Sequence, residues 1–323
     1  MLPYLISRGL QALVIVALVA TLSFVLIHSA PGDPFAGALD NPRISAVVRS
    51  NLRAQYGLDR PIAEQYARYI AQVAHGELGW SFSRSRPVRD VLTQVLPRTL
   101  LLMGTALLAS FLIGVGVATA QVSRHGKPLD RALDRISLFL ASMPDFWLAI
   151  LMLLLLTFWI PIFPIGGAVD PVMHDSLQLA GKLFDSIRHL ILPALTLTLL
   201  YASGIARFQR AALLDVMPSD FIRTARSKGL GEREILLRHA MRNALLTLIT
   251  LIGLSFPALL TGAVFIEKVF AWPGMGLTMV DAIGSRDYPL VIGAVIVGSI
   301  LVVTGSLIAD LLYRWADPRL RTG

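Results

Sequence analysis

Polar and apolar positions along this chain sort into long blocks rather than short alternations. Six mostly apolar runs stand out, at 10–27, 100–120, 136–160, 191–206, 244–265 and 290–312. A helix rises about 1.5 Å per residue, so about 20 such residues cross a hydrocarbon layer about 30 Å thick. The pattern predicts an all-α membrane protein with six transmembrane helices. The fourth run is the weakest, because Pro193, Ser203 and Gly204 interrupt it and Arg207 follows closely. The first run also admits a reading as a cleavable leader, with Arg8 before it and Ser29 and Ala30 after it. Its apolar stretch exceeds the roughly 7–15 residues of a leader core, which favours a retained helix.

The segment between the first two runs, 31–98, is too long for a simple turn and carries its own periodicity. After Pro61, residues Ile62, Tyr66, Tyr69, Ile70 and Val73 share one helical face, and after Pro87 so do Val88, Val91, Leu92 and Val95. Two short helices at the outer mouth are expected, packed on protein or lying on headgroups. The chain reads as one transmembrane domain over 1–323, with an extracytoplasmic subregion at 30–98 and a cytoplasmic loop at 207–243.

Composition agrees with the blocks: 55% of the 323 residues are hydrophobic and 15% charged, against about 25% charged in soluble domains. There is no cysteine, which removes disulfides and thiolate chemistry. The net charge of +8 is distributed as a topology signal rather than as a nucleic-acid surface. The connection after the fourth run holds seven arginines and Lys228 between Arg207 and Arg242, and the one after the second holds Arg124, Lys127, Arg131 and Arg135. Both are therefore placed in the cytoplasm, together with the N and C termini. Nine arginines between Arg43 and Arg98 oppose this, but long loops cross largely regardless of charge.

The most unusual block is polar: residues 220–243, DFIRTARSKGLGEREILLRHAMRN, lie between two greasy runs. Ser219 is suited to cap a helix with Asp220 in its first turn, and Phe221, Ile222 and Ala225 supply an apolar side. Gly229 is suited to stop it. A second helix is expected from Gly231 and Glu232, with Ile235, His239 and Arg242 or Asn243 at helical spacing, continuing into the fifth run. Small residues Ala225 and Ser227 suggest a helix that slots into a groove on another protein. A basic loop held by anionic lipid is the plainer alternative.

The stretch Thr224-Ala225-Arg226-Ser227-Lys228-Gly229-Leu230, followed by His239, Arg242 and Asn243, resembles the EAA loop of ABC importer permeases in the dipeptide, oligopeptide and nickel group. Further landmarks agree in order: Pro31-Gly32-Asp33-Pro34, Tyr56 to Pro61, Gly76 to Ser81, Glu267 to Gly276, Arg286-Asp287-Tyr288-Pro289, and Asp310, Tyr313 and Asp317-Pro318-Arg319. They resemble the B-type subunit, with its large first outer loop, more than its C-type partner. The resemblance implies a type I importer permease fold in the bacterial cytoplasmic (inner) membrane, and a heterodimer with a homologous C-type permease. It also implies two ATP-binding subunits or a fused pair, and an extracytoplasmic substrate-binding protein. ATP and Mg would reside on the ATPase subunits, with no cofactor on this chain. It assigns ATPase coupling to Phe221, Arg223, Thr224, Ala225, Arg226, Lys228, Gly229, Leu230, His239 and Asn243. The implied cargo is a di- or oligopeptide, with nickel or glutathione as alternatives.

No phosphate-binding Gly-Lys-Ser/Thr loop, His-Glu-x-x-His zinc pattern or Gly-x-Ser-x-Gly elbow is present, so neither ATP binding nor hydrolase chemistry is expected of the chain. Asp145, after Ser142, Met143 and Pro144, is the ionisable residue that stands out within a run. It admits a place on the translocation path with Ser142, or a structural role at a break made by Pro144. Trp272 admits a re-entrant gate or an interfacial anchor. An ion-coupled secondary transporter would need more ionisable groups at midplane than this one aspartate.

Overall fold

A computed structural model of the chain describes residues 2–29, 60–244, 248 and 263–316, and these are overwhelmingly helical. Four helices are long and apolar enough to cross a membrane, or five if one sharply bent pair counts as a single span. They are α1 (Leu2–Ser29), α3 (Val88–Ser123), α6 (Leu179–Val216) and α11 (Tyr288–Ala316), and they match the first, second, fourth and sixth runs. Most of the fifth run, and residues 30–59 of the segment between the first two runs, lie outside the described residues. The chain divides into two compact units, Met1–Pro97 with Gly274–Thr304 and Arg98–Pro273 with Gly305–Gly323.

In the first unit, α2 (Ile62–Ala74) forms as its periodicity predicts and its tyrosines meet α1. Tyr66 Oη lies 2.8 Å from Thr21 Oγ1, and Phe24 packs edge-on to Tyr66 at 5.3 Å. Burial against this aromatic group, and then the neighbouring Tyr66, push the Tyr69 phenol up to about 12. The second apolar stripe of that segment is not a separate short helix. Val88, Val91, Leu92 and Val95 are the opening turns of the 36-residue α3, and they form a core with Met275, Ala282, Leu290 and Ala294. Gly293 allows this approach, since a Cβ there would stand 2.4 Å from Val88 Cγ1.

Ahead of α3, strands β1 (Trp80–Ser81) and β2 (Arg86–Pro87) pair antiparallel with Ser81 opposite Arg86. The hairpin is fastened by Asp287, which is 1% exposed. Its Oδ2 accepts from Ser81 Oγ at 2.6 Å, Ser83 Oγ at 2.7 Å and Ser83 N at 2.9 Å. Helix α10 (Met275–Gly284) ends just before it, with Arg286 left-handed at φ 54°. Buried carboxylates persist where every lone pair finds a donor, and two landmarks far apart in sequence meet here.

In the second unit the third run departs from expectation. It is not one helix but two: α4 (Pro128–Ala141) and α5 (Asp145–Leu153, continued by a π turn over Leu154–Trp159), bent by 104°. Pro144 lacks an N–H and pushes the residue before it away from helical angles, so the helix stops at Ala141 and restarts at Asp145. The fourth run is longer than its apolar core suggests, because α6 begins at Leu179 and continues to Val216 with Pro193 inside it. A core of Leu102, Met103, Ala106, Ala149, Leu192, Leu197, Ile266, Phe270 and Trp272 joins α3, α5 and α6 to the short α9 (Val264–Val269).

Candidate functional site

The polar block folds as a helix, tight turn and second helix. Helix α7 (Asp220–Ser227) buries Ile222 completely and Ala225 to 5% exposure, the i and i+3 positions of one face. Phe221 does not join that face; it is 43% exposed. Nor does Ser219 cap the helix with its side chain, since its hydroxyl donates to Val216 O at 2.6 Å. Gly229 ends α7 at φ +79°, and Leu230 N donates to Ala225 O at 3.4 Å, the six-residue closure of a Schellman stop. Leu230 then tucks against the core beneath.

The second arm starts as α8 (Glu232–Glu234) and widens into a π turn over Ile235–Ala240. A π turn closes i to i+5 and so shifts the buried face by one position per turn. The inward residues are consequently Ile235, Leu236, Ala240 and Ala244, whereas His239 is half-buried and Arg242 and Asn243 are exposed. This corrects the face expected from plain helical spacing. Both arms rest on Ala118 and Val122 of α3 and Leu213 of α6, one apolar core under a polar roof. Beside that core, Gln121 is fully buried and neither of its amide atoms finds a hydrogen-bond partner among the described residues.

A bidentate pair closes the elbow across the turn: Arg226 Nε to Glu232 Oε1 at 2.7 Å and Nη2 to Oε2 at 3.1 Å. The hydrogen bond from Arg226 holds the Glu232 carboxyl below the ordinary carboxylate range, and Glu232 in turn raises the Arg226 guanidinium. Outward from the elbow stand Phe221, Arg223, Thr224, Arg226, Lys228 and Gly229. Ala225 faces inward, so its small size serves packing beneath the helix rather than fit to a groove outside it.

The other sequence candidates are not gathered with the elbow. Ser142 and Asp145 are exposed at the α4–α5 break, and Ser142 Oγ donates to Leu138 O at 2.8 Å. Trp272 is 2% exposed in the core, its indole N–H donating to Arg98 O at 3.1 Å. Sequence reasoning missed the contact that fixes α4. Asp130, 2% exposed, accepts from Arg210 Nε at 3.0 Å and Nη2 at 3.1 Å, and from Gly126 N at 3.0 Å. The signal was available: an acid in the first turn after Lys127-Pro128, and an arginine in the polar extension of the fourth run. An open cleft of about 350 Å³ beside this pair is lined by Asp134, Arg207 and Phe208. No group of three or more metal-binding side chains is found among the described residues.

These features define a multi-pass helical membrane protein with a polar helical elbow built onto the ends of two long helices. Residues 91–322 match the family described as binding-protein-dependent transport system inner membrane component, and residues 1–103 match its N-terminal companion. The chain belongs to that family, as a permease component and not an enzyme. It is 36% identical to the oligopeptide transport system permease protein AppB of Bacillus subtilis (strain 168), with 99% of each chain covered. It is 38% identical to the probable D,D-dipeptide transport system permease protein DdpB of Escherichia coli (strain K12), covering 96% of this chain and 94% of that one. Among solved structures, a chain of the MetNI methionine ABC transporter in an inward-facing conformation is similar in fold. The TM-score is 0.54 at 19% identity, over 71% of this chain and 97% of the other.

Proposed function

We propose that this chain is the B-type permease subunit of an ATP-driven, binding-protein-dependent importer of di- or oligopeptides in the bacterial inner membrane. Six spans with both termini in the cytoplasm place the elbow on the side where ATP is hydrolysed. The observation that carries the reading is the construction of the elbow. Ile222 and Ala225 lock α7 to the ends of α3 and α6, while Phe221, Arg223, Thr224 and Lys228 remain outward for a partner. A helix so fixed cannot move without moving the helices beneath it.

In this mechanism two ATP-binding subunits carry ATP and Mg and seat α7, Gly229 and the turn to Leu230. Nucleotide-driven closure of those subunits displaces α7, and the shared core transmits the displacement to α3 and α6. A C-type permease supplies the other half of the pathway, and an extracytoplasmic binding protein delivers the cargo. Exposed Ser142 and Asp145 face the path, where the carboxylate attracts the peptide amino terminus. Peptide cargo is supported by the relatives, whose names state oligopeptide and D,D-dipeptide transport. Proteoliposomes containing the complete complex, with binding protein outside and ATP inside, test the reading. Reversing charge at Arg223 and Lys228 is expected to abolish ATP-driven uptake while binding-protein docking persists. Uptake by this chain without any ATPase overturns the proposal. Mass spectrometry of the ligand retained by the cognate binding protein tests the cargo.

A further inference from the structure

Helix α4 shows its faces in the reverse of the order that water favours. Its buried flank is polar, with Asp130 at 2% and Ser137 at 5% exposure, and the Asp130–Arg210 pair bolts that flank to α6. Its outward flank is apolar: Leu129, Ile136 and Phe139 are 37%, 54% and 63% exposed. At about 100° per residue, Leu129, Ala132, Ile136 and Phe139 fall within one sector about 80° wide. Arg131 and Arg135 fall in the adjacent sector, both exposed and neither engaged by an ion pair among the described residues. An apolar sector edged by arginines is the pattern of a helix lying on a membrane surface, where the stems reach along the lipid and the charges meet headgroups.

The bend fixes how that pattern is presented. Helix α5 with its π turn, Asp145–Trp159, has no charged residue after Asp145 and suits a crossing orientation. A helix joined to it at 104° then runs close to the membrane plane. We propose that α4 is an interfacial helix rather than part of the third span. It rests on the cytoplasmic leaflet with Leu129, Ile136 and Phe139 among acyl chains and Arg131 and Arg135 against acidic phospholipid headgroups. The side of the membrane rests on the topology given under the proposed function; the orientation along the surface rests on the faces and the bend alone. The arginine edge selects acidic lipid over a second permease subunit as the occupant of this flank, because the inner leaflet supplies a negative layer at that level.

The cysteine-free sequence makes a depth measurement direct. Leu129→Cys and Phe139→Cys, ten residues and about 15 Å apart along the helix, are labelled separately with a small fluorophore in the assembled complex. The complex is placed in bilayers of phosphatidylcholine and phosphatidylglycerol containing lipids brominated at known depths. An interfacial helix gives both labels the same quenching profile; profiles displaced by about 15 Å overturn the proposal in favour of an upright helix. Labels quenched by lipid in the isolated chain but shielded in the complex overturn it in favour of a protein occupant. The double variant Arg131→Gln with Arg135→Gln is expected to lower co-purifying phosphatidylglycerol, relative to phosphatidylcholine, about fivefold for each arginine removed. An unchanged ratio overturns the headgroup contact. Reactivity of Arg124→Cys with an impermeant maleimide from each side of the membrane reports topology separately, so a failure of the importer reading is distinguishable from a failure of the flat helix.

Discussion

Helices α4 and α7 are both short and amphipathic and both pack against the C-terminal half of α6 or its end, yet they are built inside out relative to each other. Helix α7 buries Ile222 and Ala225 and turns its charges outward, with Asp220 and Arg223 side chains 87% and 72% exposed. Helix α4 buries Asp130 and turns Leu129, Ile136 and Phe139 outward. The difference teaches that amphipathicity alone does not say which face is covered. The covering medium decides, and a buried ion pair is the anchor available to a helix whose apolar side is already committed elsewhere.

The largest expected effect comes from breaking the polar anchor. Arg210→Ala leaves the Asp130 carboxylate, 3% exposed, without its bidentate partner, and a cost of about 3 kcal/mol is expected. Arg131→Ala, on the outward edge, is expected to stay within about 0.5 kcal/mol. Unfolding of the purified chain in mixed micelles measures both, and equal effects would erase the distinction between the two flanks. Next is the apolar anchor of α7. Ile222→Ala is expected to cost about 2–4 kcal/mol, while Phe221→Ala is expected to leave the chain's stability within about 1 kcal/mol and to weaken ATPase-subunit binding in pull-down.

A smaller effect separates the two glycines of the elbow. A Cβ at Gly229 or at Gly231 meets no heavy atom within 4 Å, but Gly229 sits at φ +79° and Gly231 at φ −68°. Gly229→Ala is therefore expected to cost about 1 kcal/mol from backbone strain alone, and Gly231→Ala to be neutral or slightly stabilising. Smallest is the exposed pair that closes the turn. Glu232 is held below its ordinary value by Arg226, so its stabilisation is complete above that ordinary value and is lost as pH falls through the lowered one. Acid titration of elbow amide exchange is expected to show this loss in the native chain and not in Glu232→Gln.

Much of this was legible in the sequence where the signal is local. Four of the six apolar runs are continuous helices, and Gly229 stops α7 where left-handed geometry was expected. The third run misled because its composition is uninterrupted while its direction changes. Pro144 marked the break, but no local pattern says that the bend reaches 104°. Ile235, His239 and Arg242 or Asn243 do not share the one buried face that a spacing of 3.6 residues per turn implies, because the π turn over Ile235–Ala240 adds a residue. The first twelve residues of α6 were missed because Lys182, Asp185, Arg188 and His189 dilute the apolar signal in a helix of 38 residues. Trp272 could not be placed from sequence because its indole partner, the Arg98 carbonyl, lies 174 positions away.

The Asp287 clasp has a consequence for how the protein is made. The hairpin that carries Ser81 and Ser83 leaves the ribosome about 200 residues before the aspartate that fastens it. At about 5–20 residues per second this is a wait of about 10–40 s. Through that interval the two serine hydroxyls lack the carboxylate to which they donate, and the opening turns of α3 lack the glycine surface at Gly293 on which they close. Assembly of the first unit is thus timed by the arrival of the last helix, and a chain truncated before Asp287 would reach the membrane with this hairpin unclasped.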